Sequence, residues 1–323
     1  MNPLRSLRTI SRASGDGPVD WFAVGEAAKD VTSPGSVDLT EPEIEGYRAD
    51  VKAARGSIRE VAAVSFDLPK TIEIQNRHHW IDANVDTFRR VMAPIEAHTD
   101  VFFPDVSRVL NTGSTTLMLS FLGKNVLGQY DPLLLAEGDP DHALYFVHPN
   151  IHRVAGELDV DEERFRRWIA FHEVAHAAEF GAAPWLSTHL EAEMERGIAA
   201  LAQGRFDRDA LRELDAAMTA VEGYAELIMD RAFDEEYADL REKVEERRRG
   251  RGPFTQLMRR LLGLGLKRRQ YERGKAFFET VADKRGIEGA SIVWDAPENL
   301  PTSEELDAPE TWLARVSNKR NRS

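Results

Sequence analysis

Two histidines stand four residues apart in the segment His172-Glu173-Val174-Ala175-His176. Four residues turn an α-helix by about 400°, so both imidazoles project from one helical face, one turn apart. Two imidazoles in this relation can bind one metal ion, and Glu173 can reach a water on that metal without being a ligand itself. This pattern is typical of zinc hydrolases, in which the glutamate is the general base. We therefore interpret His172 and His176 as zinc ligands and Glu173 as the base.

The third ligand does not follow from the histidine pair. In one zinc-protease pattern a glycine and a third histidine come next, but Glu179 and Ala182 occupy those positions. Glu179 also lies about 10 Å along an unbroken helix from His172, too far to share its metal easily. The other common arrangement takes a glutamate from a later helix, and Glu222 and Glu226 offer it at i, i+4 spacing. Spacing leaves both open, since one can bind the metal while the other supports a ligating histidine.

Helices are predicted around these residues and over most of the chain. Apolar residues recur at helical spacing, and Thr40 with Glu43, like Asp159 with Glu162, forms a capping-box pattern. The predicted helices cover residues 40–65, 80–97, 109–127, 160–180 (with Gly181 at its C-cap), 185–202 and 207–233, and two more follow residue 253. An extended segment is predicted at 292–294. The fold class is therefore mainly α (α+β), with a small β element.

That β element is a single predicted strand over residues 143–147, ended by Pro149-Asn150. The strand either presents an edge to an extended substrate or lies in the core, and the sequence leaves both open. His148 and His152 are also four residues apart, but Pro149 between them disfavours a helix. We interpret these two histidines as loop residues.

Length, composition and charge exclude several classes of protein. The 323 residues suggest one or two domains, and we predict one domain over 18–316 between flexible ends at 1–17 and 317–323. The absence of cysteine excludes a thiol nucleophile and thiolate zinc ligands. A net charge of −13 argues against general nucleic-acid binding, and the basic residues within 247–269 alternate with leucines as on an amphipathic helix. With neither a spanning segment nor a secretory signal, we expect a cytoplasmic protein with no membrane or nucleic-acid partner.

Further motifs follow one another over most of the chain. They are Val126-Leu127-Gly128-Gln129-Tyr130-Asp131, Phe146-Val147-His148-Pro149-Asn150, Trp168, Pro184-Trp185-Leu186, Glu222-Gly223, Lys267-Arg268-Arg269-Gln270-Tyr271, Gly274, Phe277, Leu300-Pro301 and Trp312-Leu313-Ala314-Arg315-Val316. With the histidine motif, these segments resemble the actinobacterial zincin-like metallopeptidase family, whose members are often labelled as associated with deazaflavin-coenzyme biosynthesis. The resemblance runs from about Asp20 to Val316.

The resemblance implies a zincin-like helical domain that holds one zinc ion per chain. It implies His172, His176 and Glu222 as ligands, Glu173 as general base, and a peptide or protein as substrate. Glu226 matches a position that is acidic in relatives, which fits a supporting role beside a ligating histidine.

Three positions depart from the family pattern. Tyr224 stands where relatives often have histidine, Glu179 where they often have glutamine, and His148 replaces an apolar residue. Tyr224 or His189 is the candidate for stabilising an oxyanion. The alternative to a hydrolase is a catalytically silent zinc protein with a structural or interaction role. Three protein ligands and an open position favour catalysis, whereas four protein ligands favour a structural site.

Overall fold

The computed structural model describes residues 1–98, 104–131, 142–202, 207–233, 237–249 and 264–320. The fold is mainly helical with a small sheet, which confirms the predicted fold class. The elements are α1 (Pro3–Ser11), α2 (Trp21–Asp30), α3 (Glu41–Ala62), β1 (Thr71–Gln75), α4 (Arg77–His98), α5 (Pro104–Asn125), β2 (Gly128–Asp131), β3 (Ala143–Val147), α6 (His148–Leu158), α7 (Glu162–Ala182), α8 (Leu186–Ala202), α9 (Arg208–Ala232), α10 (Ala238–Arg249), α11 (Leu264–Ser291), α12 (Ser303–Asp307) and α13 (Pro309–Arg320). Among the described residues, none of the helices combines the length and apolar character needed to cross a bilayer.

The chain divides into two compact units. Unit 1 consists of Met1–Ile44, Lys70–Glu157 and Glu195–Phe206, and unit 2 consists of Glu45–Pro69, Leu158–Met194 and Asp207–Ser323. Each unit combines three separate stretches of the chain, so neither is a continuous segment. The single domain expected over 18–316 stays a prediction.

The sheet of unit 1 has the strand order β1-β3-β2. β1 pairs with β3 in parallel, with Thr71 opposite Ala143, and β2 pairs with β3 antiparallel, with Gly128 opposite Phe146. The predicted strand at 143–147 is therefore the central one, and both of its edges are already hydrogen-bonded. Because an extended peptide can add only to a free edge, the interpretation of β3 as a substrate-binding edge is wrong. β3 is a core strand.

Three helices of unit 1 pack on one another near the start of the chain. Residues 1–17 are expected to be flexible, but the structure has α1 there, begun by Asn2, whose side chain accepts a hydrogen bond from the Arg5 N–H. The Ser6 hydroxyl donates to the Ala27 carbonyl at 3.0 Å and joins α1 to α2. The Thr112 hydroxyl on α5 accepts from the Asp20 N–H just before α2. A buried cluster fills this unit and contains Val19, Trp21, Val24, Ala28, Trp80, Ile81, Leu119 and Val147.

Two local predictions, one at His148 and His152 and one at Gly181, are wrong. His148 and His152 lie in α6 and not in a loop, because Pro149 occupies the first helical turn, where its missing N–H removes no helical bond. Gly181 lies inside α7 and not at its C-cap. A Cβ at Gly181 would stand 2.8 Å from the Cβ of Phe66, so the glycine permits a close packing contact there.

The predicted extended segment at 292–294 is also wrong. Ile292–Asp295 forms a short 3₁₀ helix directly after α11. Trp294 is buried in it, and its ring packs edge-on against Tyr224 with the ring centroids 5.4 Å apart. Of the segment 247–269 that contains the basic residues, Arg247–Arg249 end α10, and residues 250–263 lie outside the described part of the chain.

Candidate metal centre

The helix that carries the histidine pair belongs to unit 2 and begins at a side-chain cap. Asp161 accepts a hydrogen bond from the Arg164 N–H at 2.8 Å, so the cap lies two residues after the predicted Asp159. Asp159 instead has a φ of 51°, which places it in the left-handed region and outside the helix. α7 continues well past His176, so both histidines project from an unbroken helix.

The two imidazoles are placed as a shared tetrahedral ion requires. The Nε2 atoms of His172 and His176 are 3.3 Å apart, and the ring planes are inclined by 78°. Zinc binds histidine nitrogen at about 2.0–2.1 Å, and at a tetrahedral angle two such nitrogens are about 3.3–3.4 Å apart. The nitrogen separation thus fits a common zinc ion.

Glu222 on α9 completes a group of three. One ligand atom from each of His172, His176 and Glu222 lies within 4.8 Å of the other two. Glu222 is buried, whereas both histidines are half-buried. The structure therefore brings together the three residues that the sequence predicts as ligands. Two neutral imidazoles and one carboxylate are a donor set that suits zinc.

Aromatic packing and a glycine contact hold α9 in place. Phe233, the C-cap of α9, stacks on Trp168 of α7 with ring centroids 5.2 Å apart and also contacts Phe171. Gly223, next to the ligand, lies against Gly274 of α11. A Cβ on Gly223 would be 2.3 Å from the Gly274 carbonyl carbon, so the two helices touch backbone to backbone. Only glycine permits this approach. The contact therefore determines how closely α9 packs against α11.

We expect Gly223→Ala to destabilise the protein and weaken metal binding together. The new methyl group cannot fit against Gly274, so α9 must shift, and overpacking of this kind costs about 1–3 kcal/mol. Urea unfolding of the metal-free protein and zinc titration measure the two effects. Gly56→Ala on α3 is the control, since a Cβ there meets nothing within 4 Å and alanine favours helix. Equal stability of the two variants would contradict the assigned role of the glycine contact.

Negative charge is concentrated around the histidines. Glu173, Glu179, Glu222 and Glu226 are each no more than 8% exposed. Burial by itself lowers the pKa of His176, but the hydrogen bond and charge of Glu179, with the charges of Glu222 and Glu173, raise it to about 9. Burial raises the pKa of Glu179 to about 7, although His176 opposes this shift. The negative charge of these glutamates favours binding of a cation at the site, either a proton or a metal ion.

Glu179 has a position that sequence reasoning missed. Its Oε2 lies 2.9 Å from Nδ1 of His176, where the ring N–H donates to the carboxylate. That hydrogen bond assigns the proton to Nδ1 and turns Nε2 toward the ligand group. The signal was the i, i+3 spacing from His176, which makes the two side chains neighbours on the surface of α7. The supporting role expected for Glu226, which is buried one turn after Glu222, stays a prediction.

We expect Glu179→Ala to lower zinc affinity by about 10–100-fold, the usual cost of removing a group that orients a ligating histidine. Glu179→Gln should retain part of this affinity, because an amide oxygen still accepts from Nδ1. Competition with a zinc-binding dye measures both variants. Wild-type affinity in Glu179→Ala would rule out the supporting role.

We expect zinc binding to release about one proton per chain near pH 8. With its pKa raised to about 9, His176 is largely protonated at that pH in the metal-free protein, and zinc requires the neutral ring. Affinity should therefore increase as pH rises toward 9 and fall as the solution is acidified. Calorimetry in buffers of different ionisation enthalpy counts the protons. The absence of proton release at pH 8 would show that His176 is already neutral.

The two candidates for stabilising an oxyanion lie in different surroundings. The Tyr224 side chain is fully buried, its hydroxyl donates to the Ala62 carbonyl at 2.8 Å, and Ser291 Oγ lies 2.9 Å away. Burial raises the pKa of Tyr224. His189 on α8 is half-buried beside the ring of Trp185. The hydroxyl proton of Tyr224 is engaged in this buried network, which gives its predicted role no geometric support, and both assignments stay predictions.

Comparisons with known proteins agree with this site. A model of the zincin-like metallopeptidase family matches residues 19–203 and 192–313, and the chain belongs to that family. The chain is also similar to a protein from Chloroflexus aurantiacus whose crystal structure is described as that of a candidate hydrolase with a novel fold. The two are 33% identical, with a TM-score of 0.77 over 93% of this chain and 99% of the other. Among curated proteins, none matches.

Proposed function

We propose that this protein is a zinc-dependent hydrolase of peptide or amide bonds. The observation that supports this most strongly is the group formed by His172, His176 and Glu222, whose ligand atoms lie within 4.8 Å of one another. Three protein ligands leave a coordination position open, as catalytic zinc sites do. Membership in the zincin-like metallopeptidase family supports the same reaction class.

The chain's own residues provide acid–base chemistry and positioning. Zinc, when bound, acidifies a water molecule and polarises a carbonyl group. Glu173 follows His172 directly on α7, and its negative charge acts on His176. Its carboxylate accepts a proton from the attacking water and returns it to the leaving amine. Glu179 holds the imidazole of His176 through Nδ1. Glu173 is buried, so its carboxylate is shielded from bulk water. Hydrogen bonds to it are therefore stronger than they would be in water.

Digestion of a peptide library by the zinc-loaded protein tests the proposal. We expect cleavage that stops when a chelator removes zinc and resumes when zinc is added back. Elemental analysis of the same sample should give one zinc per chain. Stoichiometric zinc without cleavage of any peptide would favour the alternative, a catalytically silent zinc protein. The absence of zinc would remove the basis of both. The label of deazaflavin-coenzyme biosynthesis, like an actinobacterial origin, plays no part in the proposed reaction.

A further inference from the structure

Large apolar side chains are exposed on the three packed helices at the start of unit 1. Most of the large hydrophobic residues found exposed in the described part of the chain belong to α1, α2 or α5, or stand two residues before α1. They are Met1, Leu4, Leu7, Phe22, Val106, Leu110 and Leu117, each at least 60% exposed. Scattered exposed leucines are ordinary in soluble proteins, whereas a group on neighbouring helices indicates a surface that binds something.

The exposed residues of α5 share one helical face. Val106, Leu110 and Leu117 are spaced by four and seven residues, and Gly113 lies between the last two on the same face. A Cβ on Gly113 would stand 3.5 Å from the Ile10 side chain, so α1 crosses α5 at this glycine. The exposed leucines of α5 therefore flank the crossing of α1 and form one surface with it.

α1 places its arginines beside its exposed leucines. Arg8 lies about 40° around the helix from Leu4, and Arg12 is the C-cap of α1; all three are exposed. The opposite face is fixed, because the Ser6 hydroxyl donates to the Ala27 carbonyl of α2. A helix that rests on its own domain through one face and presents leucine and arginine on the other is typical of helices that lie on a membrane surface.

The first fifteen residues are basic, whereas exposed acidic residues follow at Asp16 and lie on α5 at Asp105, which pairs with Arg108 at 3.0 Å. Residues 1–15 contain three arginines and no acidic residue, whereas the whole chain has a net charge of −13. Asp30 lies 3.4 Å from Arg5, and the Asp20 carboxylate accepts from the Ser14 and Ala23 N–H groups. A basic segment in an acidic protein is attracted to an anionic surface. This attraction turns the exposed leucines beside the arginines toward that surface.

We propose that α1 and the exposed face of α5 form a docking surface for anionic phospholipid membranes. Leucine side chains enter the boundary between headgroups and acyl chains, and the arginines contact lipid phosphates. This binding does not require a spanning segment. A helix that lies on the membrane surface needs neither a spanning segment nor a secretory signal, so this proposal replaces the expectation of no membrane partner.

Flotation of the full-length protein with lipid vesicles tests the proposal. We expect binding to vesicles of phosphatidylcholine with one quarter phosphatidylglycerol, weaker binding to pure phosphatidylcholine, and release at high salt. Each arginine near an anionic surface strengthens binding by about fivefold, so Arg8→Gln and Arg12→Gln together should weaken it on the order of 25-fold. Leu4→Ser with Leu7→Ser should weaken it by about tenfold per leucine.

The control variant carries Leu211→Ser and Arg212→Gln, which change an exposed leucine and arginine on α9 of unit 2. It should bind vesicles as the wild type does. Circular dichroism checks that all variants remain folded, which we expect because every substituted side chain is exposed. Equal binding to charged and uncharged vesicles, or none to either, would overturn the proposal. A dimer in sedimentation that dissociates in the leucine variant would also overturn it, since a second copy of the chain would then cover this surface.

Discussion

Glu173→Gln should retain zinc and lose hydrolytic activity by about 10²–10⁴-fold, the usual contribution of a positioned general base. The substitution leaves His172, His176 and Glu222 unchanged, so the ligand group stays complete. Glutamine has nearly the shape of glutamate but cannot accept the proton of the attacking water. Elemental analysis and the rate of cleavage of a library-derived peptide measure the two properties on one sample.

The matched control is Glu163→Gln, which removes a carboxylate from the same helix at an exposed position. It should keep both zinc and activity. A Glu173→Gln variant as active as the wild type would dismiss the role of general base. Loss of zinc in that variant would indicate instead that Glu173 contributes to holding the ion.

Glu222→Ala should abolish stable zinc binding, whereas Glu226→Ala should weaken it by about 10–100-fold and leave a measurable site. Glu222 belongs to the group whose ligand atoms lie within 4.8 Å of one another. Without it, only two imidazoles remain to hold the ion, and structural and catalytic zinc sites have at least three protein ligands. Both glutamates are buried on the same helix, so each variant is the control for the other.

Cobalt substitution makes this comparison sharper, because the visible absorption of cobalt reports coordination number and geometry. Glu226→Ala should retain a spectrum close to that of the wild type, and Glu222→Ala should lose it. A crystal structure with a Glu226 oxygen at about 2.0–2.2 Å from zinc, and Glu222 turned away, would show the pair to be reversed. Equal loss of zinc in both variants would contradict the division of roles.

Local sequence patterns predicted α3, α4, α5, α7, α8 and α9 to within about five residues at each end, and did not predict α1, α2, α6 and α10. Thr40 and Asp207 mark the starts of α3 and α9. The Asp207 carboxylate accepts from the Ala210 N–H, and the Glu43 carboxylate accepts from the Thr40 N–H. The same reasoning failed where two signals competed. Asp159 and Asp161 both precede α7, and only the backbone conformation decides which of them caps it. At Gly181 the glycine suggested the end of a helix, but α7 continues there. The glycine instead allows close packing against Phe66, which lies in the loop after α3.

The histidine pair and its glutamate are predictable because one helical turn fixes their mutual positions. Glu222 is different, since about fifty residues separate it from His172 and only tertiary packing brings the two helices together. The Gly223–Gly274 contact between α9 and α11 likewise has no signal within either segment alone. The exposed leucines of α1 and α5 were equally hidden, because amphipathic spacing alone does not reveal which face a helix buries.

The backbone contact at Gly223 restricts how this metal centre can be redesigned. The ligand at position 222 can be exchanged in place, for instance by Glu222→His, to favour metals that prefer nitrogen over oxygen. It cannot be moved forward by one residue, because any side chain at 223 would meet the backbone of Gly274. The metal that the site prefers can therefore be changed by substitution at position 222. The position of the third ligand along α9 is fixed by the fold.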